Sequence, residues 1–153
     1  MGSQEGRSNW LVGSWSLEAW RRVASDGSLT FPLGPDARGS LVYTDDGAMS
    51  VHVAAVNRSP TGSPDPLGGD EPARARAYST YLAYWGTYEL LPDVIIHHID
   101  TSLYPAWTGE KQTRAYTHDA DSLVLRTPPM KEPDGSTVVN ELAWTRLGAA
   151  PRT

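Results

Sequence analysis

The chain has 153 residues, a length that fits one domain with a sizeable hydrophobic core. Its formal net charge is −5 and it has no run of Lys or Arg, which argues against nucleic acids and membrane surfaces as partners, because both are bound through basic side chains. The absence of cysteine excludes disulfides, thiolate catalysis, iron–sulfur clusters and cysteine-ligated zinc.

The predicted elements are mostly β-strands, because apolar and polar residues alternate in short segments that turn residues separate. In chain order, strands are predicted at residues 15–23, 39–44, 48–53, 85–90, 94–102, 111–117, 122–126 and 137–147. Turns such as Asp45-Asp46-Gly47 and Pro133-Asp134-Gly135 lie between them. Many short strands at regular spacing predict an all-β sandwich or barrel.

One segment interrupts the strands. Residues 57–69 are rich in Pro, Gly and Ser and are predicted to form a mobile loop. A helix is predicted at residues 70–84, between the third and fourth strands, with Asp70 as its N-cap and Pro72 in its first turn. This helix either covers a mouth of the domain as a lid or plugs its end. A short helical turn is predicted at residues 8–12.

Together these elements predict an eight-stranded antiparallel up-and-down β-barrel with one short inserted helix. Closure removes exposed sheet edges, and the interior can be filled by side chains or hold one small ligand. We expect one domain over residues 1–153, with residues 1–8 and 149–153 flexible. No segment approaches the roughly 20 apolar residues of a membrane span. The expected location is the cytoplasm, and the expected assembly is a monomer or homodimer.

Several motifs distributed along the chain point to a family. They are Gly13-Ser14-Trp15, Gly39-x-Leu41-x-Tyr43-Thr44-x-Asp46-Gly47-x-Met49-Ser50-Val51, Tyr84-x-Gly86-Thr87-Tyr88-Glu89, His97-His98-x-x-x-Ser102-x-x-Pro105-x-Trp107-x-Gly109-x-x-Gln112-x-Arg114, and Leu142-x-Trp144-x-Arg146. With these motifs the chain resembles the lipocalin-like domain proteins of bacteria and fungi over nearly its whole length. The resemblance implies a barrel that holds a ligand. Members often sit beside natural-product pathways, where small barrels can act as cofactor-free cyclases or isomerases.

Trp15 and Arg146 lie near the start of the first strand and the end of the last. In a closed barrel these two strands are neighbours. A guanidinium over an indole face is a favourable contact, worth roughly 0.5–2 kcal/mol. We therefore predict that this pair holds one end of the barrel together.

Alternation along the strands predicts which side chains face the interior. The predicted inward set is Leu41, Tyr43, Met49, Val51, Val53, Leu123, Leu125, Leu142, Trp144 and Arg146. This set is mostly apolar. Tyr43, Met49 and Trp144 are its candidate ligand-binding residues.

The sixth predicted strand differs, because Gln112, Arg114 and Tyr116 share one of its faces. If that face points inward, it places a cation and an amide in the barrel, and a buried Arg needs an anionic or carbonyl partner. Glu89, Asp100 or a ligand oxygen are the candidate partners. Arg114 is a candidate catalytic residue, and Gln112 and Tyr116 are candidate ligand-binding residues.

The adjacent residues His97 and His98 point to opposite faces of the fifth predicted strand, so only one can enter the barrel. His97 shares its face with two isoleucines, which favours His97 inside, whereas Asp100 beside His98 would suit a polarised base. Both are candidate catalytic residues, because a neutral imidazole can move protons near pH 7. Two adjacent histidines are poor geometry for one metal ion, so no metal site is predicted.

Three further candidates lie nearby in the sequence. Glu89 is a candidate base if it is buried. Tyr88 can hydrogen-bond a carbonyl, and Trp107, in the connection after the fifth strand, can roof the cavity. No phosphate loop, dinucleotide fingerprint or nucleophile elbow is present, so no cofactor is predicted.

Three functions fit this pattern. The first is a cofactor-free enzyme that cyclises, isomerises or dehydrates a small, largely apolar or aromatic metabolite by acid–base chemistry. The second is a non-catalytic carrier or sequestering protein for such a metabolite. The third is a partner-binding or structural barrel whose interior is filled by its own Trp side chains.

Overall fold

In the computed structural model, which describes residues 9–148, a single antiparallel sheet closes into a barrel because its last long strand pairs with its first. The elements are β1 Gly13–Ala24, β2 Leu29–Thr30, β3 Arg38–Tyr43, β4 Ala48–Ala54, α1 Glu71–Ser79, β5 Tyr81–Leu90, β6 Val94–Ser102, a 3₁₀ turn Pro105–Trp107, β7 Lys111–Asp119, β8 Ser122–Arg126, β9 Met130–Lys131 and β10 Thr137–Arg146. The expected flexibility of residues 1–8 and 149–153 concerns residues outside the described range.

The eight longer strands form the closed barrel, which confirms the predicted all-β architecture. Neighbours follow the order β1-β3-β4-β5-β6-β7-β8-β10, and β10 pairs with β1 again. The two-residue strands β2 and β9 were not predicted from the sequence. β2 pairs with β1 at Arg22 and Val23, and β9 pairs with β10 at Thr137 and Val138.

The inserted helix differs from its prediction in extent and in place. It ends at Ser79 instead of Tyr84, and it lies between β4 and β5, not between the third and fourth strands, because the short strand β2 precedes it. Asp70 caps it as predicted, its side chain accepting from the backbone nitrogen of Ala73 at 2.9 Å. Tyr81 to Tyr84 pair with β4, and this ladder prevails over the helix propensity of the preceding Ala and Arg residues.

The predicted helical turn at residues 8–12 is a single turn in its described part, with the backbone nitrogen of Val12 donating to the carbonyl of Asn9 at 3.2 Å. Ser8 lies outside the described residues. This turn leads into β1 and carries Trp10 across the adjacent end of the barrel, where its ring stacks on His118 at 3.7 Å.

Two β-bulges change the faces that simple alternation predicts. The register of β1 shifts between Leu17 and Ala19, so Leu17 and Trp20 both point inward. The second bulge, between Trp85 and Gly86, brings the β5 backbone close to β6. A Cβ on Gly86 would lie 1.9 Å from the carbonyl oxygen of His98, so only glycine fits at this close approach.

The interior is filled mainly by apolar side chains. Trp15, Trp144 and Tyr43 are the largest fully buried ones. The apolar members of the inward set predicted from alternation are confirmed: Leu41, Tyr43, Met49, Val51, Val53, Leu123, Leu125 and Trp144 are buried, and Leu142 packs against them. This core supplies most of the stabilisation, because burying a large apolar side chain contributes roughly 1.5–3 kcal/mol.

Arg146 joins three segments at the end of the barrel where β1 begins. Its guanidinium lies 4.3 Å from the centre of the Trp15 ring, which confirms the predicted contact. Nη1 donates to the carbonyl of Val12 at 3.0 Å, and Nη2 donates to the carbonyl of Trp10. Nε lies 3.4 Å from Oδ1 of Asp121 in the β7–β8 turn. The Arg146 side chain thus connects β10 to residues 10–12, to β1 and to the β7–β8 turn.

We expect Arg146→Met to lower the free energy of unfolding by about 2 kcal/mol, because it removes a cation–π contact and hydrogen bonds to two carbonyls. The matched control is Arg126→Met. Arg126 pairs with Glu141 at 2.9 Å on the outer surface, and such a surface pair contributes about 1 kcal/mol or less. Urea denaturation of both variants checks this, and equal losses would contradict the proposed role of Arg146.

Candidate functional site

Three polar rings meet inside the apolar barrel. His97 is 2% exposed and lies between the hydroxyls of Tyr43 and Tyr84. Its Nε2 is 2.6 Å from the Tyr43 oxygen, and its Nδ1 is 2.7 Å from the Tyr84 oxygen. The alternation of β6 turns His97 inward together with Ile95 and Ile99. This settles which of the two adjacent histidines faces the interior.

Burial sets the protonation state of this cluster. Desolvation, with the nearby charge of Arg114 and a smaller effect of His98, lowers the pKa of His97 to about 3. Desolvation also raises the pKa of Tyr43 well above its usual value and raises that of Tyr84. All three rings are therefore neutral near pH 7. His97 is a poor general base in this state, since its conjugate acid is strongly disfavoured.

Arg114 is the buried cation of the interior. It projects inward from β7, where it pairs in register with Ile95, and it is 8% exposed. Its Nη1 donates to Oε1 of Gln112 at 3.1 Å and to the carbonyl of Thr113 at 3.4 Å. The charge of Arg114 partly opposes the rise in the pKa of the Tyr84 hydroxyl. Among residues 9–148, no carboxylate lies within 4.0 Å of Arg114.

The predicted protein partners of Arg114 are therefore wrong. Glu89 and Asp100 point outward and are exposed, because they alternate with inward residues of β5 and β6. Glu89 contacts His98 instead, with 2.5 Å between Oε2 and Nε2. Both side chains are about half exposed. Neither His98 nor Glu89 is thus joined to the interior cluster, and the expectation of a buried Glu89 is corrected.

The outer pair lies beside a shallow surface cavity of about 610 Å³ near the Gly86 bulge. His98, Asp100, Trp85 and Lys111 are among its lining residues. The other two histidines, His52 and His118, are exposed.

The remaining ligand-binding candidates divide between the ends of the barrel. Tyr88 packs edge-to-face on Tyr43, with 4.7 Å between ring centres, and its hydroxyl donates to the carbonyl of Thr44. Tyr116 donates to the carbonyls of Leu91 and Pro92. Tyr88 and Tyr116 line a cavity of about 780 Å³ at the end of the barrel that Trp10 covers.

At the opposite side of the cluster, Trp107 packs edge-to-face on Tyr84, with 6.0 Å between ring centres. Gln112 is half-buried and contacts Arg114. Met49 is 3% exposed and is part of the core. The His97 cluster is thus flanked by Tyr88 towards one end and by Trp107 towards the other.

Trp144 has an unusual feature for a core residue. It is 2% exposed, and its Nε1 has no hydrogen-bond partner. No other buried side-chain nitrogen or oxygen in the described part of the chain lacks a partner. An unpaired buried donor costs about 1–3 kcal/mol, so an acceptor that reaches this atom would stabilise the barrel.

Sequence reasoning missed two polar groups of the interior. Tyr84 lies two residues after Leu82 and four before Tyr88, so alternation along β5, which puts Tyr84 and Tyr88 on one face, was the signal for it. Asn140 is 5% exposed, and its Oδ1 accepts from Nε1 of Trp20 at 2.9 Å and from Nε of Arg22 at 3.2 Å. Alternation with Leu142 and Trp144 was the sequence signal for Asn140, whereas its contacts with Trp20 and Arg22 come from the pairing of β10 with β1.

Two further structural results concern metal sites and membranes. Between residues 9 and 148, no group of three or more His, Asp or Glu side chains is arranged to hold a metal ion. No helix in that range is long and apolar enough to cross a membrane.

The depressed pKa of His97 predicts a pH dependence of stability. Between about pH 6.5 and pH 3, the unfolded chain binds a proton at His97 and the folded chain does not. The free energy of unfolding therefore falls as the pH is lowered through this window, by up to about 1.4 kcal/mol per pH unit from this one group.

We expect His97→Gln to remove this contribution, so that the difference in unfolding free energy between wild type and variant shrinks steadily as the pH falls from 6.5. Urea titrations at several pH values measure it. The exposed residue His52 provides the control, since His52→Gln removes a histidine outside the core. A pH-independent difference for His97→Gln would contradict the neutral, buried state.

Comparison with known proteins agrees with this architecture. The family model described as a lipocalin-like domain matches residues 12–147, which is most of the chain. No curated protein and no solved structure matches the chain significantly. The barrel architecture suggests the binding of small molecules. The chain therefore belongs to the lipocalin-like domain family.

Proposed function

We propose that the barrel binds a small, largely apolar metabolite through an anionic or carbonyl oxygen placed beside Arg114. The observation that carries this proposal is a buried guanidinium with no carboxylate within 4.0 Å among residues 9–148. Buried charges in proteins are normally paired, because removing an ion from water is expensive. Gln112 and Thr113 offer only neutral carbonyl oxygens to the guanidinium, and a ligand oxygen would provide the further partner.

The chemistry of Arg114 favours an anionic oxygen. A guanidinium presents five N–H donors in a plane and matches a carboxylate with two parallel hydrogen bonds. Within residues 9–148, the hydrogen bonds of Arg114 are made by Nη1, to Gln112 at 3.1 Å and to Thr113 at 3.4 Å. Donors are thus left for a ligand. The surroundings of Arg114, which include Ile95, suit the apolar body of such a molecule.

The aromatic side chains on either side of the cluster support the same proposal. Tyr88 separates the cluster from the cavity of about 780 Å³ at the Trp10 end, and Trp107 flanks it on the other side. Such rings provide apolar contact area while their polar tips orient a ligand. Trp144 adds an unpaired donor to the interior.

The geometry supports a carrier or sequestering protein better than an enzyme that removes a proton with His97. His97 has a pKa of about 3, and the buried charged and polar residues described in the barrel are His97, Arg114 and Asn140, with no carboxylate among them. Binding needs no proton acceptor, and the interior supplies hydrogen-bond donors and apolar contacts.

A cofactor-free cyclase, isomerase or dehydratase is the second candidate. It is favoured by the cluster of hydrogen-bond donors, since Arg114 and a tyrosine hydroxyl can polarise a carbonyl in a water-poor site. In this version the protein holds the substrate in a reactive shape and stabilises charge on its oxygen, and His97 stays neutral. His98 and Glu89 lie on the outer face and take no part in it.

We expect wild-type protein at pH 7.5 to bind 2-naphthoic acid more tightly than 2-naphthamide or 2-methylnaphthalene, because only the acid neutralises Arg114. Arg114→Gln should weaken binding of the acid about tenfold or more and leave the hydrocarbon unaffected. Intrinsic tryptophan fluorescence measures all three affinities. Arg126→Gln removes the same charge from the outer face and is the matched control.

Equal affinity of the wild type for the acid and the hydrocarbon would contradict the proposal. The same titration, extended to polyketide-like compounds and followed by mass spectrometry, separates the two candidates. A bound compound recovered unchanged supports the carrier, and a bound compound converted to an isomer or a dehydrated product supports the enzyme.

A further inference from the structure

The cavity of about 780 Å³ at the end of the barrel that Trp10 covers is lined by three aromatic rings. They belong to Trp10, Tyr88 and Tyr116, and all three side chains are half-buried. The rings come from the turn before β1, from β5 and from β7, so only the folded barrel brings them together. A cavity of this size can hold a small organic molecule.

The protein itself holds these rings in place. The hydroxyl of Tyr88 donates to the carbonyl of Thr44 at 2.7 Å, and that of Tyr116 donates to two carbonyls of the β5–β6 turn. The ring of Trp10 stacks on His118, with 3.7 Å between ring centres. Because both hydroxyl protons are already used, the tyrosines offer mainly their π faces and edges to a molecule in the cavity.

The same cavity is lined by three carboxylates and, within residues 9–148, by no Lys or Arg side chain. Asp45 and Asp46 come from the β3–β4 turn, and Glu89 comes from β5. No Lys or Arg nitrogen in the described part of the chain lies within 4.0 Å of these carboxylates, and Glu89 contacts His98. An anion in this cavity would be repelled, whereas a cation would be attracted.

Aromatic faces and carboxylates together select one class of cation. The negative face of an aromatic ring attracts a cation within about 6 Å of the ring centre, and Trp is the strongest partner. The ring centres of Trp10 and Tyr116 are 5.5 Å apart, so one cation can lie near both. An alkylated ammonium ion presents apolar groups to such rings and carries its charge without a tightly held water shell, unlike Mg²⁺.

We propose that this cavity is a second binding site, separate from the barrel interior, and that it takes an organic cation of the alkylated ammonium class. The rings of Trp10, Tyr88 and Tyr116 contact the alkyl groups, and the carboxylates of the β3–β4 turn supply the opposite charge. The site goes beyond the proposed function, because it lies outside the polar cluster and binds a ligand of the opposite charge from the one that suits Arg114.

The cavity near the Gly86 bulge provides an internal comparison. It also contains an exposed indole, that of Trp85, and a carboxylate, that of Asp100. It has only this one indole or phenol ring, however, and Lys111 is among its lining residues. One ring beside a lysine should hold a cation far less well than three rings without one, so Trp85 and Asp100 are suitable control positions.

The test uses choline and 3,3-dimethylbutan-1-ol, a neutral molecule of nearly the same shape in which carbon replaces the charged nitrogen. Calorimetric titration of the full-length protein at pH 7.5 and low ionic strength measures both affinities. We expect choline to bind about tenfold or more tightly than the alcohol, and added salt to weaken choline binding by screening the carboxylates. Equal affinities, or no saturable binding of choline, would overturn the proposal.

Two substitutions locate the site. Trp10→Leu should weaken choline binding about tenfold by removing a ring face, and Asp45→Asn about threefold by removing an exposed carboxylate. Trp85→Leu and Asp100→Asn remove the same kinds of group at the other cavity and should leave the affinity unchanged. Asp45 lies in an exposed turn, so its variant tests the site even if Trp10→Leu does not fold. Unchanged affinity in Asp45→Asn, or an equal loss in the two control variants, would place the cation elsewhere and overturn the proposal.

Discussion

The pairing of β10 with β1 is the contact on which the rest of the structure depends. It joins the last strand to the first along most of their length, from Trp15 opposite Arg146 to Ala24 opposite Val138. Without it, the backbone donors and acceptors along two long strands would lie at open sheet edges. Arg146 reinforces the join at one end, where its guanidinium covers Trp15 and binds carbonyls of the entry turn.

Closure also creates the chemistry of the interior. Side chains that point inward lose their water, so groups that are ordinary on a surface acquire unusual properties there. His97 becomes a weak base held neutral between two tyrosines. Arg114 becomes a cation with amide and carbonyl contacts in place of a carboxylate. Burying these polar groups costs desolvation free energy that an apolar core would not incur, so their presence favours a ligand over a purely structural core.

The division between inner and outer faces separates the candidate residues into two groups. His97 and His98 are neighbours in the chain, yet one is 2% exposed and the other forms a half-exposed pair with Glu89. Two bulges modify this division locally. At Gly86 the bulge forces the backbones of β5 and β6 together, and in β1 it allows Leu17 and Trp20 to share the interior. The face that a side chain occupies therefore decides whether it can contact a molecule bound inside the barrel.

The sequence by itself determined the all-β class, eight barrel strands, the inward apolar set and the stacking of Arg146 on Trp15. These features follow from period-2 alternation, turn residues and motifs, which are local signals. Two strands, Val94–Ser102 and Ser122–Arg126, have the predicted bounds. Only the tertiary structure decided that the helix ends before Tyr81, that Arg114 has no carboxylate partner within residues 9–148, and that Tyr84 and Tyr43 bracket His97. The reason is physical: Tyr43 and His97 are separated by 54 positions in the chain, and the strength of their contact comes from a water-free interior that exists only once the barrel has closed.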